Sequence, residues 1–130
     1  MIVQRVKHRS RKPLRPEQEL QRKLVQALKS LLTPATFFVE LNPAATVAPD
    51  VRAGMPDLAF IHKGRAFYLE LMAPGGYLTQ LQRAAHVALR DAGARVEVAR
   101  SLPEALAHIR GFGIPLRDVS IQTVFRKAAA

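Results

Sequence analysis

The sequence predicts an α/β domain, a mixed β-sheet flanked by helices, on three observations. Apolar residues recur at three- and four-residue spacing from Pro16 to Leu32 and at helical spacing from Thr79 to Ala92. Short runs rich in β-branched and aromatic residues lie between and after those two segments. Glycine or proline punctuates most of the junctions, so each run ends where a new element must begin.

The first helix starts at Pro16, where proline costs little because the first helical N–H has no partner anyway. Leu20, Leu24, Leu28 and Leu31 give it an inward stripe, and Thr33-Pro34 stops it. Glu17 and Gln21 share that face, whereas Glu19, Lys23 and Gln26 lie on another. Thr36 to Leu41 reads as a strand ending at Asn42-Pro43, and Ala44 to Met55 as a loop. Leu58 to Ile61 and Ala66 to Leu71, separated by the basic turn His62-Lys63-Gly64-Arg65, read as a β-hairpin. Ala73-Pro74-Gly75-Gly76 breaks the chain before a helix over Thr79 to Ala92, with Leu81, Ala85 and Leu89 inward and Gly93 closing it. Arg95 to Arg100 alternates as a fourth strand. Ser101-Leu102-Pro103-Glu104 has capping-box spacing and opens a short helix through Ile109. Gly111 to Pro115 is a loop, and Val119 to Phe125 a final strand.

At 130 residues with 48% hydrophobic residues, the chain is sized for one domain, expected over 16–130. Residues 1–15 read as a basic arm with Arg5, Lys7, Arg9, Arg11, Lys12 and Arg15 and no acid, although Ile2, Val3 and Val6 could form a short strand. The net charge of +10 points to a polyanionic partner, with Arg9, Arg11, Lys12 and Arg15 as contacts and Arg52 and Tyr77 as further phosphate contacts. The chain contains no cysteine, which excludes disulfides, thiolate zinc sites and cysteine nucleophiles. The same lack agrees with a reducing cytoplasm, where the protein is expected. No apolar stretch approaches the roughly 20 residues a membrane span needs, and no apolar signal core follows the basic start.

Asp57 opens the first strand of the hairpin and Glu70 nearly closes the second, thirteen residues later. Both therefore fall near one end of adjacent strands about 4.8 Å apart. Two carboxylates so placed can share a divalent cation, with oxygens at about 2.0–2.1 Å for magnesium, and sharing it removes the repulsion that would raise one pKa. Glu17, on the edge of the inward face of the first helix, is the candidate third carboxylate, although an acid in a first turn also serves the helix dipole.

The ordered set Gly54-Met55-Pro56-Asp57-Leu58, Glu70-Leu71-Met72-Ala73-Pro74-Gly75-Gly76, Leu78-Thr79 with Gln82, and Gly93 with Val96-Glu97-Val98-Ala99-Arg100-Ser101 resembles the VRR-NUC branch of the PD-(D/E)XK nuclease superfamily. The resemblance runs through most of residues 16–104. It implies a restriction-endonuclease-like fold, Mg2+ or Mn2+ as cofactor, phosphodiester hydrolysis in branched or flapped DNA, and a homodimer comparable to Holliday-junction resolvases. It also implies roles: Asp57 and Glu70 as metal-binding carboxylates, Glu17 as the helix-borne acid, the main-chain carbonyl of Leu71 as a ligand, and Gln82 as the helical glutamine beside the site.

Met72 departs from the pattern, standing where that family places its catalytic lysine. Methionine keeps the length of the unbranched stem and deletes the ammonium, and one lost preorganised electrostatic group costs on the order of 10²–10³ in rate. Folding and metal binding are expected to survive and cleavage to fail, as after an inactivating substitution in an otherwise intact nuclease. Lys63, Arg65 or Arg83 would have to reach in to replace the charge. The alternative is a non-catalytic nucleic-acid-binding module with vestigial carboxylates. His8, His62, His86 and His108 lack metal-ligand spacing, and His86 stands out because it shares the face of Gln82.

Overall fold

The computed structural model describes residues 13–41 and 54–117, and within them seven elements follow the predicted order. They are α1 (Pro16–Leu31), β1 (Thr36–Glu40), β2 (Leu58–His62), β3 (Arg65–Leu71), α2 (Gln80–Asp91), β4 (Arg95–Ala99) and α3 (Leu102–Gly111). The arm residues Arg9, Arg11 and Lys12, His8, Arg52, and the strand expected over Val119 to Phe125 lie outside the described residues.

The strands form one sheet in the order β1-β2-β3-β4. The first two pairings are antiparallel and β3 pairs β4 in parallel, so the sheet is mixed. That change of direction follows from the connections: a two-residue turn returns the chain antiparallel, whereas a helical crossover brings it back parallel. Lys63 and Gly64 make the turn, with φ of 50° and 74°, the left-handed pair that a tight hairpin turn demands. Helix α2 makes the crossover.

Strand alternation sends Leu58, Phe60, Phe67, Leu69 and Leu71 to one face of the sheet, where they join Leu24, Ala27, Leu28 and Leu31 of α1 and Ala105, Leu106 and Ile109 of α3 in one core. Phe112 and Ile114, past the end of α3, complete it, with the Phe67 and Phe112 rings stacked at 4.9 Å. Glu70 has the opposite parity and looks toward α2. A carboxylate on an otherwise apolar strand is thereby lifted out of the main core and onto the second helix.

Helix α2 settles differently from its apolar pattern. Leu81, expected inward, is 60% exposed, and the buried residue of this helix is His86. The helix turns Gln82 and His86 to the sheet because Glu70 has to be matched by polar groups once it is buried. Ala85 and Leu89 stay half-buried at the margin of that face. Smaller differences fall at the ends: α3 runs on to Gly111, and β4 stops at Ala99. Among the described residues, no helix is long and apolar enough to cross a membrane.

Candidate functional site

Three local devices bring Asp57 to Glu70. The register Leu58 opposite Leu69, continued by one residue, sets Asp57 against Glu70. The main-chain N–H of Leu71 donates to Asp57 Oδ2 at 2.7 Å, and the N–H of Leu41 donates to the Asp57 carbonyl at 2.8 Å. Before them, Gly54 packs directly on the start of α2, with φ of 90°, where a Cβ would lie 2.4 Å from the carbonyl oxygen of Leu81. Only glycine permits that approach, and it ties the strand bearing Asp57 to the helix bearing Gln82.

Glu70 is buried, with 2% of its surface exposed. Gln82 Nε2 donates to Glu70 Oε1 at 3.1 Å, and His86 Nε2 lies 3.2 Å from Glu70 Oε2. Gln82 is itself held from the other side, because its Oε1 accepts from the Thr79 N–H at 2.8 Å in the cap of α2. Burial pushes the Glu70 carboxyl up to about 9, helped by the charge of Asp57 and by a hydrogen bond to it, and opposed by the bond from Gln82. At neutral pH the two acids therefore share a proton. His86 moves the other way: burial, then the positive charge of Arg90, lowers its pKa and keeps the ring neutral. Its Nδ1 is buried with no hydrogen-bond partner, so the imidazole is anchored through Nε2 alone.

A cavity of about 490 Å³ opens over this pair. Glu17, Asp57, Glu70, Leu71, Met72 and Gln82 all line it, as do Arg15, Gly76 and Tyr77. The fold thus gathers around one space residues from α1, the start of β2, the end of β3, the following loop and α2. Within it the roles differ. The Glu17 carboxylate is 3.2 Å from Arg15 Nε, an ion pair that engages both groups. No group of three or more histidine and acidic side chains close enough to hold a metal ion occurs among the described residues. Tyr77 is 84% exposed, and Met72 is a buried, uncharged part of the wall. His62 and His108 serve the scaffold: His62 Nδ1 bonds the Thr36 hydroxyl at 3.0 Å, and His108 Nε2 bonds the Val98 carbonyl at 3.0 Å.

The donor set suits a hard divalent cation. Two carboxyl groups in contact with each other offer hard oxygen donors, and the proton now between them does the work a cation would do in neutralising the pair. Asp57 and Glu70 would hold such an ion.

Sequence reasoning singled out most of these residues. What it missed are the supports: the Gly54 contact on α2, the Thr79 cap that orients Gln82, and the service His86 gives Glu70. The i to i+4 spacing of Gln82 and His86 was the visible sign of the last. Comparison of the chain with protein-family models, with curated proteins and with solved structures finds no match in any of the three. The nuclease resemblance therefore rests on the motif residues alone.

Proposed function

We propose that this fold is a restriction-endonuclease-like, metal-dependent DNA endonuclease domain acting on branched or flapped DNA, and that Met72 impairs cleavage in this chain. The observation that carries the reading is the contact of Asp57 with the buried Glu70 under an open cavity bounded by Met72, with the Glu70 pKa raised by burial and by Asp57. A stable core gains nothing from two acids forced together, since the arrangement weakens folding at neutral pH. Placement of that kind supports a functional role for the pair.

Mg2+ or Mn2+, when bound, supplies a Lewis acid and an activated water for phosphodiester hydrolysis. The chain's own residues do the positioning. Asp57 is fixed by the Leu71 N–H, and Glu70 by Gln82 and His86, so both side chains are held in place and Glu70 has to lose its proton to become a ligand. Glu17, now paired with Arg15, would be the third carboxylate, with Arg15 turned to a phosphate instead. At position 72 a methyl thioether occupies the wall where an ammonium would stabilise charge developing on the scissile phosphate. The basic arm with Arg9, Arg11 and Lys12, together with Arg15, Arg52 and Tyr77, supplies contacts to DNA. A second copy of the chain, set as a homodimer in the cytoplasm, would allow paired cuts across a junction.

The test is Met72→Lys, assayed for nicking of supercoiled and branched DNA with magnesium or manganese. The expected result is metal-dependent cleavage that the parent chain lacks or performs at least about a hundredfold more slowly. A folded Met72→Lys protein that cuts no DNA rejects the proposal. The neutral wall at Met72 is the observation favouring a second reading, a nucleic-acid-binding module without catalysis. Calorimetric titration with manganese separates the two, because vestigial acids give no heat that Asp57→Ala removes.

A further inference from the structure

We infer that Arg100, at the end of β4, is a phosphate-binding residue that seats a nucleic-acid backbone phosphate at the lip of the cavity, beside Tyr77. This rests on the nuclease reading and adds to it the place where a neighbouring phosphate is held.

Arg100 Nη2 donates to the main-chain carbonyl of Gly76 at 2.9 Å, and Gly76 and Tyr77 both line the cavity. The guanidinium is thus pinned at the edge of the site by a backbone group. A carbonyl takes one of its five N–H donors and leaves its charge unneutralised. Three other arginines of the fold are spent on carboxylates, Arg15 on Glu17, Arg22 on Glu19 and Arg95 on Glu97, and Arg90, which also donates to a main-chain carbonyl, does so at Val96, away from the residues that line the cavity. Among the described residues, the Arg100 guanidinium has no carboxylate within the 4 Å of an ion pair, since Glu104 Oε2 accepts from the Arg100 main-chain N–H.

The loop it touches is fixed at both ends. The Met72 N–H donates to the Ala99 carbonyl at 3.0 Å, so residues 99 and 100 of β4 grip the loop at its start and at Gly76. A Cβ on Gly76 would lie 3.2 Å from the Ala73 carbonyl and 3.3 Å from the Met72 methyl, which keeps this wall tight. An exposed, oriented and charge-free-of-partner arginine beside an exposed tyrosine offers a phosphate fork and a stacking ring side by side. Lysine would supply the charge without the fork.

The test uses the full chain, with fluorescently labelled duplex and branched DNA read by anisotropy over a range of salt, in manganese. Arg100→Ala is expected to weaken binding roughly tenfold and to lower the slope of log affinity against log salt by about 1. Arg100→Lys should keep the slope and recover part of the affinity. A role confined to supporting the Gly76 carbonyl would lower melting temperature without moving the slope. An unchanged slope in Arg100→Ala, whatever the affinity, overturns the inference and leaves the nuclease reading standing, provided the parent binds DNA and takes up manganese. If the parent binds neither, both fall together.

Discussion

Replacing Glu70 by glutamine should make the metal-free protein more stable, although Glu70 is a buried side chain with two hydrogen-bond partners. The direction follows from protonation. In the unfolded chain the carboxyl titrates near its ordinary value of 4.5, whereas in the fold it titrates at about 9. Between those values the folded state binds a proton that the unfolded state has lost, so stability is full below about pH 4.5 and declines as pH rises towards about 9. At about 1.4 kcal/mol per pH unit, folding at neutral pH is penalised by about 3 kcal/mol. Glutamine is neutral at every pH and nearly isosteric with the protonated acid. It keeps an oxygen for Gln82 and offers an N–H to His86, which accepts by changing tautomer. Glu70→Gln should therefore gain about 3 kcal/mol at pH 7, more at pH 9 and little near pH 5. Urea unfolding followed by circular dichroism with a chelator present measures it. Two results refute the reasoning: a parent stability that is level from about pH 5 to pH 9, or a glutamine variant no more stable than the parent at neutral pH.

Further consequences can be measured in the same way. Gly54→Ala forces a side chain into φ of 90° and to within 2.4 Å of the Leu81 carbonyl, so it should cost at least about 1–3 kcal/mol in urea unfolding and weaken manganese binding by displacing Asp57. His86→Ala removes the group on Glu70 Oε2 and leaves a void, with an expected loss of about 1–3 kcal/mol in the same melts. Calorimetry at neutral pH on the parent should show close to one proton released for each manganese bound, because Glu70 must ionise to become a ligand, and a binding heat without proton release would contradict the shared proton.

Some elements were legible because a single local rule governs them. Pro16 starts α1, Lys63-Gly64 turns the hairpin, Gly93 at φ of 97° ends α2, and Ser101 caps α3 by accepting from the Glu104 N–H at 3.3 Å. The Asp57–Glu70 juxtaposition was legible for a related reason: a short hairpin fixes register, and register fixes which residues face each other. Leu81 was not legible. A helix with leucines on one stripe and Gln82 and His86 on another has two faces to offer, and its periodicity does not say which one the sheet requires. The choice fell to Glu70, whose buried carboxyl had to be met by polar groups.

The sequence by itself determined the order of the seven described elements, the hairpin that opposes two acids, and the uncharged residue at position 72, since each follows from neighbours close along the chain. Tertiary structure decided that Glu70 holds a proton, that Arg15 engages Glu17, and that Arg100 reaches the lip of the cavity through Gly76. Those properties depend on distances between groups remote in sequence and on how far water is excluded from them, and neither quantity is written in residue order.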